Sequence, residues 1–212
     1  MSSGTIRKFP RLTVELPGRE IFLRLGGNLH KTRFSAAAAE STAISINRAF
    51  ALCQLQGRYT VIEVKKWFDD AIETAGGEKW FTGRDFCARC QNAPRLWMGA
   101  VTAGKAITDA RDSLPAVAEQ LIYDAVGSES ADAAMELLHR FAATELRRLG
   151  MMLAPRRCSP GYNDMPLTIQ RRFFEVLEMR EMDITLSENC FMTPEKSVTA
   201  FAPISTSEHK DN

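Results

Sequence analysis

The sequence has no long apolar run and no surplus of charge of either sign. No stretch of 18 consecutive apolar residues occurs in the 212, and the N-terminus lacks a hydrophobic signal core, so neither a membrane span nor a secretory leader is predicted. The 27 basic and 26 acidic residues are intermixed and leave a net charge of +1, which disfavours binding to nucleic acid or to an anionic membrane. We therefore expect a cytoplasmic protein whose partners are neither nucleic acids nor membranes.

Cysteine and histidine are also scarce. The five cysteines are odd in number and have no framework spacing, which favours reduced thiols over disulfides. Cys87 and Cys90 form a single C-x-x-C, which is typical of half a zinc site or of a redox pair, or of two small apolar residues packed on a helix. The three histidines are isolated, and no second C-x-x-C supplies the two further ligands that zinc needs. We predict no metal site.

What the chain does contain is enough apolar residues for one sizeable core. The 45% apolar fraction of a chain of this length predicts a single domain, or one domain with a small lobe. We place that domain at residues 11–204. The polar ends, residues 1–10 and 205–212, are expected to be flexible.

The first half of the sequence alternates between strand and helix patterns. Residues 12–16 and 20–25 are predicted as two strands joined by a tight turn at Pro17-Gly18. Helix formers from 36 to 56 predict a helix, and alternating apolar residues predict a strand over 58–68. A short helix to Asn92, a buried strand over 96–102 and a helix over 105–113 follow.

The second half is mainly helical. Pro115 suits the first turn of a helix that we expect Gly127 to end, with Ser128 capping a second helix over 129–150. Pro166 is expected to start a helix over 167–179 that is capped by Asp164, and closing strands are expected at 184–186 and 198–201. The fold class is therefore α+β, with a mainly antiparallel sheet and helices packed around it.

A loop before the last helix combines residues suited to binding. The Pro160-Gly161 turn lets the main chain approach a ligand, and Arg157 offers a planar fork of donors for a carboxylate. Tyr162 adds an amphipathic ring. The alternative is a purely structural turn, with Arg157 in a surface ion pair and Tyr162 half-buried against the following helix.

Two motifs together resemble a known family. The first is Arg157-Cys158-Ser159-Pro160-Gly161-Tyr162, and the second is Leu186-Ser187-Glu188 with Met192, Pro194 and Ser197-Val198 at fixed spacing after it. In this order they resemble the C-terminal activation domain of cobalamin-dependent methionine synthase, and more closely its short stand-alone relatives. The resemblance is strongest over residues 120–203 and fainter upstream, in Phe22 to Gly26 and Trp97 to Gly104.

The resemblance implies a ligand, S-adenosylmethionine, and a cobalamin that only a partner protein carries. The family reduces inactive cob(II)alamin by one electron and methylates it, in support of methionine synthesis. The implied partner is a corrinoid-binding methyltransferase or a methionine synthase core protein, with a reductase or a flavodoxin as a possible electron donor. No catalytic acid or nucleophile is predicted, because the cobalt itself attacks the methyl group. The implied ligand contacts are Arg157, Ser159, Gly161, Tyr162, Glu188 and Asp132.

Several positions depart from the family pattern or allow other roles. Cys158-Ser159 stand where the family has Pro-Ala, which loosens the loop and raises the ordering cost of binding. The family's N-terminal acidic contact has no counterpart that we identify. Asp132 and the loosely aligned Glu145 can each be a solvated helix residue, and Glu188 can pair within the fold. Pro194, Ser197 and Val198 are predicted to form a structural turn, with Lys196 exposed beside it.

Three functions remain open at this level. The favoured one is a reactivation subunit that binds S-adenosylmethionine for a separate corrinoid methyltransferase, since the chain lacks a cobalamin-binding D-x-H-x-x-G segment. Such a chain is a component of an enzyme rather than a complete one. The second is a non-catalytic adaptor that docks on the corrinoid protein. The third is a thiol-dependent or metal-dependent protein built on Cys87 and Cys90.

Overall fold

The computed structural model describes residues 4–27, 35–90 and 93–206. In these ranges the chain forms six α-helices: α1 (Gly18–Arg24), α2 (Ala36–Ala51), α3 (Arg84–Cys90), α4 (Ala106–Ser113), α5 (Val117–Arg148) and α6 (Gln170–Val176). The strands are β1 (Arg7–Phe9), β2 (Gln56–Trp67), β3 (Ala71–Thr74), β4 (Lys79–Phe81), β5 (Arg95–Thr102), β6 (Met151–Leu153), β7 (Thr185–Leu186), β8 (Met192–Thr193) and β9 (Ser197–Thr206). None of the helices within the described ranges is both long enough and apolar enough to cross a membrane.

The strands form one antiparallel sheet and one small hairpin. The sheet has the order β4-β3-β2-β5-β9-β6, with β1 paired to β2, and β7 and β8 pair separately. Strand β5 lies at the centre and pairs with β2 and β9 over its whole length. The predicted α+β class with a mainly antiparallel sheet is confirmed. The predicted strand over 58–68 and the buried strand over 96–102 are confirmed as β2 and β5.

The sheet is covered on both faces because its central strands alternate their side chains between two apolar cores. Trp97 and Val101 of β5 pack in the core under α5, whereas Leu96 and Met98 pack in the core under α3 and α6. Side chains two residues apart point to the same face of a strand, so a run of apolar residues serves both cores. We call these two sides the α5 face and the α3 face.

Helix α5 contains the largest difference from the sequence prediction in the second half. It runs unbroken for 32 residues, so the predicted break at Gly127 and the cap at Ser128 are wrong. Gly127 is buried, and a Cβ atom there would lie 3.0 Å from Lys196 Cγ and 3.3 Å from Ile107 Cγ1. The glycine therefore allows a close side-chain approach inside a helix rather than ending one.

The prediction of an N-terminal hairpin over residues 12–25 is also wrong. Residues 11–17 form no strand, and Leu12 N donates to Leu55 O at 2.8 Å instead of pairing in the sheet. Residues 18–24 form α1, whose Ile21 is fully buried against the α5 face. Arg24 of α1 forms an ion pair with Glu129 of α5. Tertiary packing on α5 therefore overrides the local strand preference of this apolar segment.

The region after Pro166 differs from a single capped helix. A 3₁₀ turn over Leu167–Ile169 leads into α6, which ends at Val176, and a second 3₁₀ turn follows over Met179–Met182. Asp164 does not cap this helix. Its carboxylate instead accepts the backbone N–H groups of Arg84 and Asp85 at 2.6 and 3.2 Å, so that it caps α3.

Two parts of the ends that we expected to be flexible are paired with the sheet. Residues Arg7–Phe9 form β1 on β2, and β9 continues to Thr206 beside β6. The short strands β3, β4 and β6 carry no long alternating pattern, and the sequence analysis did not predict them. The predicted end of this helix at Asn92 lies outside the described residues, and the described part of α3 is Arg84–Cys90.

Candidate functional site

The loop with the first motif is fixed to the edge of β9 by its backbone. Cys158 N donates to Phe201 O at 2.9 Å, and Phe201 N donates to Cys158 O at 2.8 Å. The next four residues form a β-turn in which Tyr162 N donates to Ser159 O at 3.3 Å. Gly161 has φ +84°, the positive angle that a type II turn with Pro160 before it requires. The predicted Pro-Gly turn is confirmed.

This loop and α3 enclose a cleft, which we call the α3 cleft. Its volume is about 300 Å³. Arg157, Ser159 and Tyr162 line it, and the opposite wall comes from α3. Tyr162 is 72% exposed, so the alternative of a tyrosine half-buried against the next helix is wrong. The full lining is Asp85, Phe86, Arg89, Arg157, Cys158, Ser159, Tyr162, Asn163, Asp164 and Met165.

Charges of both signs meet at the cleft. Arg89 and Arg157 are cationic, whereas Asp85 and Asp164 are anionic. A small ligand that carries both a carboxylate and an ammonium group suits such a lining, because each charge finds an opposite one. The loop offers fewer free amide donors to a ligand than the sequence suggested. Gly161 N donates to Met165 O at 3.1 Å, and Tyr162 N donates within the turn.

Arg157 connects the cleft with the outer surface of α5. Its Nη1 donates to Glu136 Oε2 at 2.6 Å, so the ion pair that the sequence left as an alternative is present. The Arg157 guanidinium lowers the pKa of Glu136. Cys158, the next residue, packs against the core of the α3 face instead.

Asp132 lies one helical turn before Glu136 on α5 and belongs to the same surface. Its carboxylate is 55% exposed and lies 3.9 Å from Arg24 Nη2. Partial desolvation by the surrounding atoms raises the pKa of Asp132, helped by the neighbouring Glu129, while Arg24 and Arg157 oppose that effect. The structure therefore brings Asp132 near Arg157, although Asp132 does not line the α3 cleft.

Glu188 lies apart from these residues. It is exposed in the turn between β7 and β8, and Arg171 Nη2 donates to its carbonyl oxygen at 2.7 Å. The described lining of the α3 cleft comes from α3 and from residues 157–165, so the structure does not bring Glu188 into it. Gly161 is placed to shape the turn rather than to line the cleft.

Other residues of the sequence analysis have structural partners. Glu145 accepts hydrogen bonds from Tyr59 and Arg7, and so joins α5 to β1 and β2. Ser197 Oγ donates to Pro194 O at 2.7 Å, which agrees with a structural turn. Lys196 is not exposed as predicted, because its side chain is 8% exposed and pairs with Asp124 at 2.6 Å.

The C-x-x-C cysteines pack in the core of the α3 face. Cys87 and Cys90 are each 3% exposed, as two small apolar residues on one helix would be. Within residues 4–27, 35–90 and 93–206, no group of three or more His, Cys, Asp and Glu side chains is arranged to hold a metal ion. His30 and His209 lie outside the described residues.

Sequence reasoning missed the α3 wall of the site. Asp85, Arg89 and Asp164 were not selected, because their grouping depends on the capping of α3 by a residue about 80 positions later in the chain. One residue in the sequence, Gly83, could have pointed to this approach. It has φ +88°, and a Cβ atom there would lie 2.6 Å from Asp164 Oδ1, so glycine is needed for this approach.

Comparison with known proteins gives a fold but no sequence family. No protein-family model matches the chain, and no curated protein matches it in sequence. Among solved structures, the crystal structure of the MetH reactivation domain bound to AdoHcy is similar, with a TM-score of 0.67 and 16% identity. The match covers 100% of this chain and 81% of that one. At this identity the likeness establishes the fold, which is the one that the two motifs predict.

Proposed function

We propose that this protein binds S-adenosylmethionine and supports the reductive methylation of a corrinoid methyltransferase, as a reactivation subunit. The observation that carries the proposal is the Ser159–Tyr162 turn, fixed to β9 beside Arg157 in a chain with the MetH reactivation-domain fold. The MetH domain of that fold is bound to AdoHcy. A fixed turn with a cation at its start is the kind of preorganised site that such a ligand needs.

In this proposal the charged ends of the ligand are held by opposite charges. Arg157 takes the methionyl carboxylate, in exchange for Glu136. The ammonium and the sulfonium face the carboxylates of Asp132, Asp85 or Asp164. The cleft of about 300 Å³ is at the lower limit for small-molecule sites, so it holds part of the ligand. The exposed ring of Tyr162 extends the contact surface beyond it.

The chain needs no acid or base for the transfer. The corrinoid is bound by the partner, and its reduced cobalt supplies the nucleophile. The residues of this chain bind the methyl donor, orient it and exclude water while the partner presents the acceptor. The partner is a corrinoid-binding methyltransferase or a methionine synthase core protein, and the electron comes from a reductase or a flavodoxin.

Isothermal titration with S-adenosylmethionine tests the ligand. We expect saturable binding, and Arg157→Ala should weaken it by about 10- to 100-fold, because hydrogen bonds to charged groups contribute roughly 1.5–3 kcal/mol. Arg156→Ala is the matched control, since Arg156 is exposed and does not line the α3 cleft. No heat and no thermal shift at millimolar ligand would contradict the proposal.

The adaptor remains the second candidate, and one observation favours it. Arg157 already has a carboxylate partner in Glu136, so its charge is balanced without a ligand. An adaptor predicts that the Arg157→Ala, Tyr162→Phe double variant captures a purified corrinoid methyltransferase as well as wild type does, and that neither form binds S-adenosylmethionine. Formation of methylcobalamin on that partner, followed by its absorption spectrum, supports the reactivation subunit instead.

A further inference from the structure

The packing of α3 places Cys90 opposite Cys158. Phe86 and Cys90 are four residues apart on α3 and therefore share one helix face. The ring of Phe86 lies with its centroid 5.5 Å from that of Phe201, and Phe201 is paired through its backbone with Cys158. One helical turn beyond Phe86, Cys90 belongs to the same apolar core against which Cys158 packs, so the two thiols are neighbours.

Cys87 has a different set of partners. Its sulfur lies 3.2 Å from Thr82 Oγ1 and donates to Ala71 O at 3.7 Å, which directs it towards β3. The two cysteines of the C-x-x-C therefore point to separate places. The spatial partner of Cys90 is a cysteine 68 positions later in the chain.

The two neighbouring thiols differ in access and in pKa. Cys158 lines the α3 cleft, whereas Cys90 is 3% exposed beneath it. The neighbouring Cys90 thiol, with a smaller contribution from the Arg89 guanidinium, lowers the pKa of Cys158, and the proximity of Cys158 raises the pKa of Cys90. The other charged groups that line this cleft are Arg157, Asp85 and Asp164. An accessible thiolate beside a protonated thiol is the usual arrangement of a reactive and a resolving cysteine.

We propose that Cys158 and Cys90 form a reversible dithiol–disulfide pair in the wall of the α3 cleft, and that hydroperoxides oxidise it. The Cys158 thiolate attacks the terminal oxygen of the hydroperoxide, so that an S–O bond forms, the O–O bond breaks and the alcohol leaves after taking up a proton. The Cys90 sulfur then attacks the Cys158 sulfur and loses its proton. An S–S bond forms and water leaves. The two thiols lose two electrons in total, and the hydroperoxide gains them.

The disulfide has a consequence for the cleft. It links α3 covalently to the loop that begins at Arg157, and these are the two walls of the α3 cleft. The link fixes the distance between the walls, so we expect it to change the affinity for a ligand held between them by at least about threefold. This last step rests on the proposed function, whereas formation of the disulfide does not.

Peptide mapping of the full chain tests the pair. The reduced protein is treated with one equivalent of tert-butyl hydroperoxide, the remaining thiols are blocked, and the digest is analysed without reductant. We expect a linked pair of peptides with Cys90 and Cys158, lighter by two hydrogens than the separate peptides and released by dithiothreitol. Cys53→Ser is the matched control and should give the same link, because Cys53 packs against the core of the α5 face.

Other results overturn the inference. These are a Cys87–Cys90 link as the main product, oxidation of Cys158 to a sulfinic acid without a link, or a Cys158 that stays unmodified. The wild-type chain carries this test, so it does not depend on how Cys158→Ser folds. Titration of reduced and oxidised protein with S-adenosylmethionine separates the two proposals. A reduced protein that does not bind contradicts only the proposed function, and a missing link in a protein that binds contradicts only the thiol pair.

Discussion

The two faces of the sheet are packed by different kinds of side chain. On the α5 face, the long helix α5 contributes many small side chains to the core, among them Ala125, Ala131, Ala134 and Ala142. On the α3 face, the core is filled by long or aromatic side chains from short helices, turns and strands, among them Met98, Met165, Met179, Met182, Phe86, Phe173 and Phe201. Small side chains let a helix approach closely, whereas methionines fill irregular gaps.

The candidate site lies on the α3 face. The α5 face supplies the stable frame, in which α5 packs with α1, α2 and α4 as well as with the sheet. The α3 face is closed by α3, α6 and the loop over residues 154–165, and the α3 cleft opens between two of these pieces. We therefore expect substitutions on the α5 face to act on stability, and those around the cleft to act on binding.

The largest effect is expected for Leu138→Ala on the α5 face. Leu138 is fully buried, and its truncation should cost about 2–5 kcal/mol of unfolding free energy, because it leaves a cavity in a rigid core. Leu149→Ala is the control, since Leu149 is 71% exposed and its loss should cost less than about 0.5 kcal/mol. Urea denaturation measures both. Equal losses would remove the distinction between core and surface on this helix.

Enlarging a buried side chain tests the difference between the faces directly. Ala134→Leu on the α5 face should cost about 1–3 kcal/mol, because Ala134 is fully buried in the core of that face. Met182→Leu on the α3 face keeps the volume nearly constant, and its cost should stay below about 1.5 kcal/mol. A tolerated Ala134→Leu, with an unchanged denaturation midpoint, would show that the α5 face is as adaptable as the α3 face.

A smaller electrostatic effect is expected near the end of β8. Arg111 and then Lys196 lower the pKa of Glu195 to about 2, below its ordinary 4.5. A carboxylate with a lowered folded-state pKa stabilises the protein above about pH 4.5, and this contribution is lost as the pH falls towards 2. Glu195 is 55% exposed, so we expect Glu195→Gln to cost less than about 1 kcal/mol at pH 7.

Denaturation at pH 7 and at pH 3 checks this prediction. The difference in unfolding free energy between wild type and Glu195→Gln should shrink at pH 3. At that pH the carboxyl of the unfolded chain is largely protonated, which lowers the free energy of the unfolded state and removes part of the stabilisation. Asp112→Asn is the matched control, as Asp112 also contacts Arg111 but is 65% exposed. If the stability difference instead grows on acidification, Arg111 and Lys196 do not lower the pKa of Glu195.

The smallest effect on stability is expected at the cleft. Tyr162→Ala should change the unfolding free energy by less than about 0.5 kcal/mol, because the ring is 72% exposed. The same variant should weaken the binding of S-adenosylmethionine several-fold if the ring contacts the ligand. Titration and urea denaturation of one preparation compare the two quantities. A stability loss above about 2 kcal/mol would make Tyr162 part of the frame.

The sequence was sufficient for elements with strong local patterns. The apolar runs of β2 and β5, the helix formers of α2 and the Pro160-Gly161 turn all act through neighbouring residues, and each was predicted close to its position. The motifs also led to the right fold. Arg157, Ser159 and Tyr162 were found because they follow one another in the chain and line one cleft.

The errors arise where distant residues decide the local structure. Gly127 has the sequence signature of a helix end, but Lys196 needs the space above it. Asp164 precedes a helix in sequence and caps another helix in space. Residues 20–25 were predicted as a strand after the Pro17-Gly18 turn but fold as a helix, because Ile21 is buried in the core that α5 helps to form. No window of neighbouring residues contains these partners.

The bare backbone at Gly127 works as a notch across the long helix. The aliphatic stem of Lys196 lies in this notch, and its ammonium group emerges beside Asp124, less than one turn away along α5. A side chain at position 127 would fill the notch and push the stem outwards before it disturbed the helix. Such a replacement would therefore break the ion pair between Lys196, which directly precedes β9, and Asp124 of α5, while the helix itself remains intact.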